Sequence, residues 1–104
     1  MKMIKTNFLR IMGSNPLNKI LDFLIENDNE SWALVELRDQ AEVGYSTLKV
    51  LIPKMLENGL IEIHKTIGKS SFYRINKKNP VVEKIYGVYN IINNVEGGKL
   101  LKTT

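Results

Sequence analysis

The stretch from Leu34 to Lys78 constrains the fold most, because it contains two short helical patterns followed by two strand-like segments. The first helical pattern covers Val35–Ala41 and the second covers Tyr45–Asn58, with Val43-Gly44 as the turn between them. In the second pattern, apolar side chains recur on one helical face, at Leu48, Leu51, Ile52 and Met55. Two helices joined by so short a turn are typical of a helix-turn-helix motif.

The second helix of this pair has a stop signal at its end and an anomaly inside it. Gly59 follows Asn58 and is the expected C-terminal cap, because glycine readily adopts the left-handed conformation found there. Pro53 lies well inside the helical pattern, where a missing N–H and a steric clash cost about 3 kcal/mol in a regular helix. We therefore expect a bend at Pro53, or a regular segment limited to Ser46–Ile52.

An antiparallel hairpin is predicted after the second helix. Leu60–Lys65 and Ser71–Asn76 alternate apolar and polar side chains, as half-buried strands do. Thr66–Ser70 supplies a turn with a glycine and a lysine at its tip. The inward-facing side chains are expected to be Ile61, Ile63, Tyr73 and Ile75.

A further helix is predicted before the pair. Ser14-Asn15-Pro16 is a helix start, with a capping side chain and a proline near the first helical position, and Asn27-Asp28-Asn29 ends the helix. Its apolar stripe consists of Leu17, Ile20, Leu21, Leu24 and Ile25. Its polar face is expected to contain Asn18, Lys19, Asp22 and Glu26. Trp32, in a short extended piece, is expected to fill the edge of the core rather than to bind a ligand.

The last predicted helix starts at Asn79-Pro80 and covers Val81–Asn93. Apolar residues cover more than one of its faces, so it has to be buried on two sides. The second side is expected to meet another copy of the chain, although a helix packed only on its own core is the alternative. The interface of that homodimer is predicted to contain Val82, Ile85, Tyr86, Tyr89 and Ile92.

Together these elements predict an α+β fold, mostly α, arranged as a winged helix-turn-helix with a two-stranded wing and a C-terminal dimerisation helix. Residues 14–78 form the predicted winged helix-turn-helix domain, and residues 79–93 form the dimerisation helix. Residues 1–13 are expected to be an N-terminal extension without a firm pattern. Residues 94–104 are expected to be a flexible tail.

The distribution of charge indicates a nucleic-acid partner more clearly than the net charge of +4 does. Residues 22–42 contain seven acidic side chains and one basic side chain, whereas residues 45–78 contain seven basic and two acidic ones. The positive charge is therefore concentrated on the second helix of the pair and on the hairpin, the elements that would face phosphates. The alternative is a solvated charged surface that segregates by chance.

Two segments resemble the winged helix-turn-helix transcriptional regulators common in archaea, of the broad MarR-like and ArsR-like kind. IMGSNPLNKILDFLIEN is similar to the family's opening helix, and GYSTLKVLIPKMLENGLIEIHKTIGKSSFYRINKKNP is similar to its recognition helix, wing and linker. The resemblance covers roughly residues 11–92 and implies a DNA-binding transcriptional regulator. The chain departs from the pattern at Glu42, where similar sequences usually have the turn glycine. Here the glycine is Gly44.

The predicted function is sequence-specific binding of double-stranded DNA, with the second helix in the major groove and the wing on the backbone or in the minor groove. The contact residues expected on the helix are Tyr45, Ser46, Thr47, Lys49, Val50 and Lys54, the last on a phosphate. Those expected on the wing are Lys65, Lys69, Ser70, Ser71 and Arg74. A homodimer would bind an inverted repeat with half-sites about one helical turn apart.

Other functions have less support in the sequence. There is no cysteine, catalytic motif or paired metal-ligand spacing, so neither an enzyme nor a metal or cofactor site is expected. No apolar run is long enough to span a membrane and no signal-peptide pattern occurs, so a cytoplasmic location is expected. The main alternative is a winged helix that binds another protein, as an adaptor in a larger assembly. RNA binding is weaker, because Phe72 and Tyr73 are the only strand-borne aromatic pair.

Overall fold

The computed structural model describes residues 6–93, which form five helices and one two-stranded antiparallel sheet. In chain order the elements are helices α1 (Asn7–Met12), α2 (Pro16–Glu26), α3 (Leu34–Ala41) and α4 (Tyr45–Glu57), strands β1 (Ile61–Ile67) and β2 (Ser70–Ile75), and helix α5 (Pro80–Asn93). This mostly helical α+β architecture is consistent with a winged-helix-like layout, in which β1 and β2 take the place of the wing. The expected tail, residues 94–104, lies outside the described residues.

One hydrophobic core joins the helices to the sheet. Its most deeply buried side chains come from five different elements, at Ile20, Leu24, Leu37, Leu48, Ile61 and Val82. Burying an aliphatic side chain of this size contributes about 1.5–3 kcal/mol, so these positions fix how the elements pack. Among the described residues, no helix is both long enough and apolar enough to cross a membrane.

Local signals in the sequence set the starts of α2 and α5. The side-chain oxygen of Asn15 accepts a hydrogen bond from the backbone N–H of Asn18 at 2.9 Å, and Pro16 is the first residue of α2. Asn79 has the same role before α5, where its Oδ1 lies 2.7 Å from the backbone nitrogen of Val81. Both predicted helix starts are confirmed.

The turn before α4 and the course of α4 differ from expectation. Glu42 has φ 58° and ψ 50°, the left-handed conformation that favours glycine, so the tight bend falls at Glu42 and not at Gly44. α4 is helical without interruption through Pro53 to Glu57. Of the two alternatives predicted at Pro53, the one in which the regular part of α4 ends at Ile52 is therefore wrong, and a bend at Pro53 stays a prediction.

A Schellman motif ends α4. The backbone N–H of Leu60 donates to the carbonyl of Met55 at 2.9 Å, and that of Gly59 donates to the carbonyl of Leu56 at 3.0 Å. Gly59 has φ 72°, and a Cβ at this position would lie 3.1 Å from Nδ2 of Asn79. The predicted glycine cap is confirmed, and it directs the chain from α4 straight into β1.

The hairpin is regular at its base and bulged further out. Ile63 lies opposite Tyr73, and the register then shifts so that His64 is an extra residue on β1. On the other side of β2, Trp32 and Tyr73 exchange two backbone hydrogen bonds of 2.8 Å each. The indole of Trp32 packs on the ring of Phe23 with centroids 4.8 Å apart, which confirms its place at the edge of the core. Ile63, expected to face inward, is 48% exposed, whereas Tyr73 opposite it on β2 packs against the core.

Residues 6–12 are an integral part of the fold and not the expected unpatterned extension. Thr6 caps α1 by accepting a hydrogen bond from the N–H of Leu9, and Phe8 is buried against the ring of Tyr89. The hydroxyl of Thr6 also donates to Oδ1 of Asp22 at 3.0 Å. Asp22, expected on the polar face of α2, is therefore buried beneath α1.

α5 packs on the core of its own chain with the side chains predicted for a dimer interface. Val82, Tyr89 and Ile92 are buried in that core, and Ile85 and Tyr86 are half-buried against it. For Val82, Tyr89 and Ile92 the predicted interface is wrong, because these side chains are already buried within one chain. For Ile85 and Tyr86 it stays a prediction.

A neighbouring face of α5 carries apolar side chains that remain exposed. It presents Val81, Val88 and Ile91, which are 57%, 41% and 53% exposed. We call these three residues the outer face of α5.

Candidate nucleic-acid interface

The outward side of α4 presents the residues predicted to contact DNA. Leu48, Ile52 and Met55 hold the other side in the core, so this face cannot turn inward. Thr47 is half-buried, and five residues are exposed: Tyr45, Ser46, Lys49, Val50 and Lys54. The ammonium group of Lys49 lies 5.6 Å from the centroid of the Tyr45 ring, a cation–π contact that keeps it over the first turn of α4.

A groove of about 610 Å³ lies between the start of α2 and this face of α4. Its lining side chains are all uncharged: Asn15, Pro16, Leu17, Ser46, Thr47, Val50 and Leu51. The two helices are tied together beside it, because Nζ of Lys19 on α2 donates to the carbonyl of Glu42, in the turn before α4, at 3.3 Å.

The helical pattern of α2 does not indicate that this helix lines a groove. Leu17 fits the apolar repeat, which predicts a place in the core, but it is 37% exposed in the first turn of the helix. The sequence identifies Asn15 and Pro16 only as a helix start. Their place beside α4 depends on how two helices pack, which periodicity within one helix does not reveal.

The hairpin presents its polar and basic residues in different ways. Lys69 and Ser70 are exposed at and beside the turn, and Ser71 is half-buried. Lys65 is exposed, and its ammonium group lies 5.1 Å from the centroid of the Phe72 ring on the neighbouring strand. Lys65 and Lys69 therefore remain able to meet an anion, as the sequence predicts.

Arg74 differs from the other predicted cations because it is already paired. Its Nε lies 2.8 Å from Oε2 of Glu62, the residue opposite it on β1. A partly exposed ion pair of this kind contributes at most about 1 kcal/mol to stability, but it neutralises charge that would otherwise attract a phosphate. Arg74 thus adds less to the positive surface than its sequence position suggests.

A second ion pair ties the segment after β2 to the loop after α2. The hydroxyl of Tyr86 donates to Oδ2 of Asp28 at 2.6 Å, and Nζ of Lys77 lies 3.3 Å from the same oxygen. The hydrogen bond from Tyr86, together with Lys77, lowers the pKa of Asp28 below its ordinary value. Burial, and then the Asp28 carboxylate, raise the pKa of Tyr86. Lys77 is therefore occupied in holding the start of α5 to the core.

Six exposed lysines have no ion-pair partner within residues 6–93, and four of them lie on α4 and the hairpin: Lys49, Lys54, Lys65 and Lys69. We call these four the free lysines; the other two, Lys78 and Lys84, lie after β2 and on α5. α4 and the hairpin are adjacent in the chain and pack against each other. In the same part of the chain, no group of three or more His, Asp or Glu side chains is placed to hold a metal ion. Because the free lysines are exposed, this surface can attract and hydrogen-bond an anion.

Comparisons with known proteins add nothing to this geometry, since no family model, curated protein or solved structure matches the chain. The resemblance to archaeal regulators accordingly stays a prediction. Any function has to be argued from the surface itself.

Proposed function

We propose that this chain is a transcriptional regulator that binds double-stranded DNA in a sequence-specific manner. The observation that carries the proposal is the group of free lysines on α4 and the hairpin. Affinity for duplex DNA comes mainly from cations that neutralise phosphates, so this surface has the required charge. In the proposed complex, α4 enters the major groove with Ser46, Lys49 and Val50 towards the base edges, and the hairpin follows the backbone or the minor groove.

A homodimer on an inverted repeat is part of the proposal. The outer face of α5 provides apolar residues at positions 81, 88 and 91, a spacing that suits a helix–helix seam. Gly87 lies on the exposed side of the same helix, and a Cβ there would meet nothing within 4 Å, so a second helix can approach closely. Two copies of α4 related by a two-fold axis would read half-sites about 34 Å apart along the duplex.

A protein-binding adaptor is the second candidate, and one observation favours it. Val50 and Ile67 are 55% and 60% exposed, and aliphatic side chains this exposed also suit a protein interface. The two candidates differ in their response to salt. DNA affinity falls steeply as salt rises, whereas binding through aliphatic side chains does not.

The proposal is tested by the affinity of Lys49→Ala for a duplex selected from a random pool, measured by fluorescence anisotropy at fixed salt. Loss of a base or phosphate contact predicts binding weaker by roughly five- to a hundredfold. Arg10→Ala, which removes an exposed cation from α1, is the matched control and should bind with nearly wild-type affinity. Equal affinities for the two variants would contradict the proposed surface.

A further inference from the structure

An uncharged strip interrupts the cationic face of α4, and phosphate contacts do not account for it. The groove between α2 and α4 has seven lining side chains, none of them charged. Two of these are exposed aliphatic residues from different helices, Val50 at 55% and Leu17 at 37%. Lys49 and Lys54 belong to the same helix as Val50 but lie outside the lining. The surface is therefore apolar in the groove and basic beside it.

Such a surface complements the major groove of DNA, where uncharged base edges lie between two rows of phosphates. The 5-methyl group of thymine is the aliphatic group that these base edges expose. The phosphates on either side supply the negative charge that Lys49 and Lys54 can neutralise. An uncharged apolar ligand would fill the groove but would leave these two lysines without a partner.

We propose that the groove between α2 and α4 receives thymine methyl groups, so that Val50 and Leu17 select thymine at the operator positions that face them. This inference rests on the proposed DNA binding and adds a base preference to it. It also gives α2, which lies outside the helix-turn-helix pair, a direct part in specificity. Thr47, half-buried in the same lining, contributes a further methyl group to the groove.

The experiment deletes single methyl groups from the DNA. In a duplex selected from a random pool, each thymine is replaced in turn by deoxyuridine, which lacks only the 5-methyl group. Loss of one buried methyl should weaken binding about fourfold at each thymine that faces the groove, and should change nothing elsewhere. At the sensitive positions, a 5-methylcytosine·guanine pair should bind more tightly than an unmethylated cytosine·guanine pair, which separates methyl contact from hydrogen-bond readout.

The same contact is then removed from the protein. In Val50→Ala and in Leu17→Ala, the roughly fourfold loss of affinity caused by deoxyuridine should shrink towards no loss at some of the sensitive positions. The salt dependence should be unchanged, because no cation is lost. Val35→Ala is the matched control, since Val35 is 49% exposed on α3 and outside the groove, and it should keep the full penalty.

The outcomes separate this inference from the function on which it rests. An enriched, salt-sensitive site at which no thymine responds to methyl loss would overturn the inference and leave DNA binding in place. An undiminished penalty in both Val50→Ala and Leu17→Ala would also overturn it. Absence of DNA binding at low salt would overturn both the inference and the proposed function.

Discussion

At the scale of single residues, Glu42 adopts a backbone conformation that is unfavourable for any residue other than glycine. It is the one non-glycine residue with positive φ among residues 6–93. A side chain in the left-handed region costs about 1–2 kcal/mol relative to the right-handed one. The hydrogen bond from Lys19 goes to the backbone carbonyl of Glu42, so a change of side chain leaves its acceptor in place.

Glu42→Gly should therefore have a free energy of unfolding about 0.5–1 kcal/mol higher than Glu42→Ala, the reverse of the usual order, because both variants lack the same side chain and only glycine relieves the backbone strain. Urea denaturation measures the difference. Glu83→Gly and Glu83→Ala, in the first turn of α5, are the matched control pair, in which the glycine variant should be less stable by about 1 kcal/mol. If glycine were the less stable variant at both positions, the left-handed turn at Glu42 would be refuted.

The bond between Tyr86 and Asp28 predicts a pH dependence of stability. Tyr86→Phe should lower the free energy of unfolding by about 1–2 kcal/mol at neutral pH, where the carboxylate is charged. Folding lowers the pKa of Asp28 from its unfolded-state value of 3.8. The carboxylate therefore contributes its full stabilisation above pH 3.8 and loses it as the pH falls through the folded-state pKa. The difference in the free energy of unfolding between wild type and Tyr86→Phe should accordingly become smaller below pH 3.8.

Denaturation of both proteins at neutral and at acid pH tests this prediction. Tyr45→Phe is the control, because Tyr45 is an exposed tyrosine on α4, and it should leave stability unchanged at both pH values. If the loss in free energy of unfolding in Tyr86→Phe did not change with pH, it would come from packing of the ring and not from the hydrogen bond to Asp28.

Helical spacing predicts which residues of α4 are exposed, but it does not predict the polar contacts between elements. Asp22 has the spacing of a polar face, and nothing within α2 shows that α1 lies over it. The pairing of Arg74 with Glu62 depends on the bulge at His64. If the two strands paired from the turn without that bulge, Glu62 would lie opposite Ile75.

At the scale of elements, α2 to α5 begin and end within one residue of the predicted positions, because local signals encode their limits. Asn15 and Asn79 cap the starts of two helices, and Gly59 ends a third. α1 has only six residues, too few for a periodic pattern to emerge. Its place depends on Phe8 meeting Tyr89, a contact between distant parts of the chain that no local signal encodes.

The hairpin should bind DNA through Lys69 more than through Arg74. Each neutralised phosphate contributes about 0.9 to the slope of log affinity against log salt concentration. Lys69→Ala should reduce the slope by close to this amount, whereas Arg74→Ala should reduce it less, because Glu62 already neutralises the guanidinium group. Binding titrations at several salt concentrations measure the slope.

Glu62→Gln provides the reciprocal control for this difference. It removes the carboxylate beside Arg74 and should increase both the affinity for duplex DNA and the salt slope. If Lys69→Ala and Arg74→Ala reduced the salt slope equally, and Glu62→Gln did not increase it, the predicted difference between Lys69 and Arg74 in DNA binding would be refuted.

At the scale of the whole molecule, α5 closes the core with one face and leaves another face open. The sequence shows that its apolar residues cover more than one side. It does not show which side packs inward, because that depends on how the segment after β2 is held. Lys77 and Tyr86 meet at Asp28 and help to set this orientation, with Val82 buried and the outer face exposed.

Ile91→Glu should convert the proposed dimer into a monomer, because it places two like charges near a two-fold seam and removes apolar area from it. Sedimentation equilibrium should give twice the chain mass for the wild type and the chain mass for the variant. Val35→Glu, at a comparably exposed position on α3, is the control and should remain dimeric. If the wild-type protein were monomeric at every concentration and on DNA, the proposed dimer contact through the outer face of α5 would be refuted.

That the surface formed by α4 and the hairpin binds duplex DNA is a claim that a single experiment can test. The wild-type chain is used to select sequences from a random duplex pool, and the selected sequence is then titrated at increasing salt. We expect a two-fold-symmetric site to be enriched, with half-sites about one helical turn apart and an affinity that falls steeply as salt rises. Absence of binding to any duplex at low salt would contradict the claim.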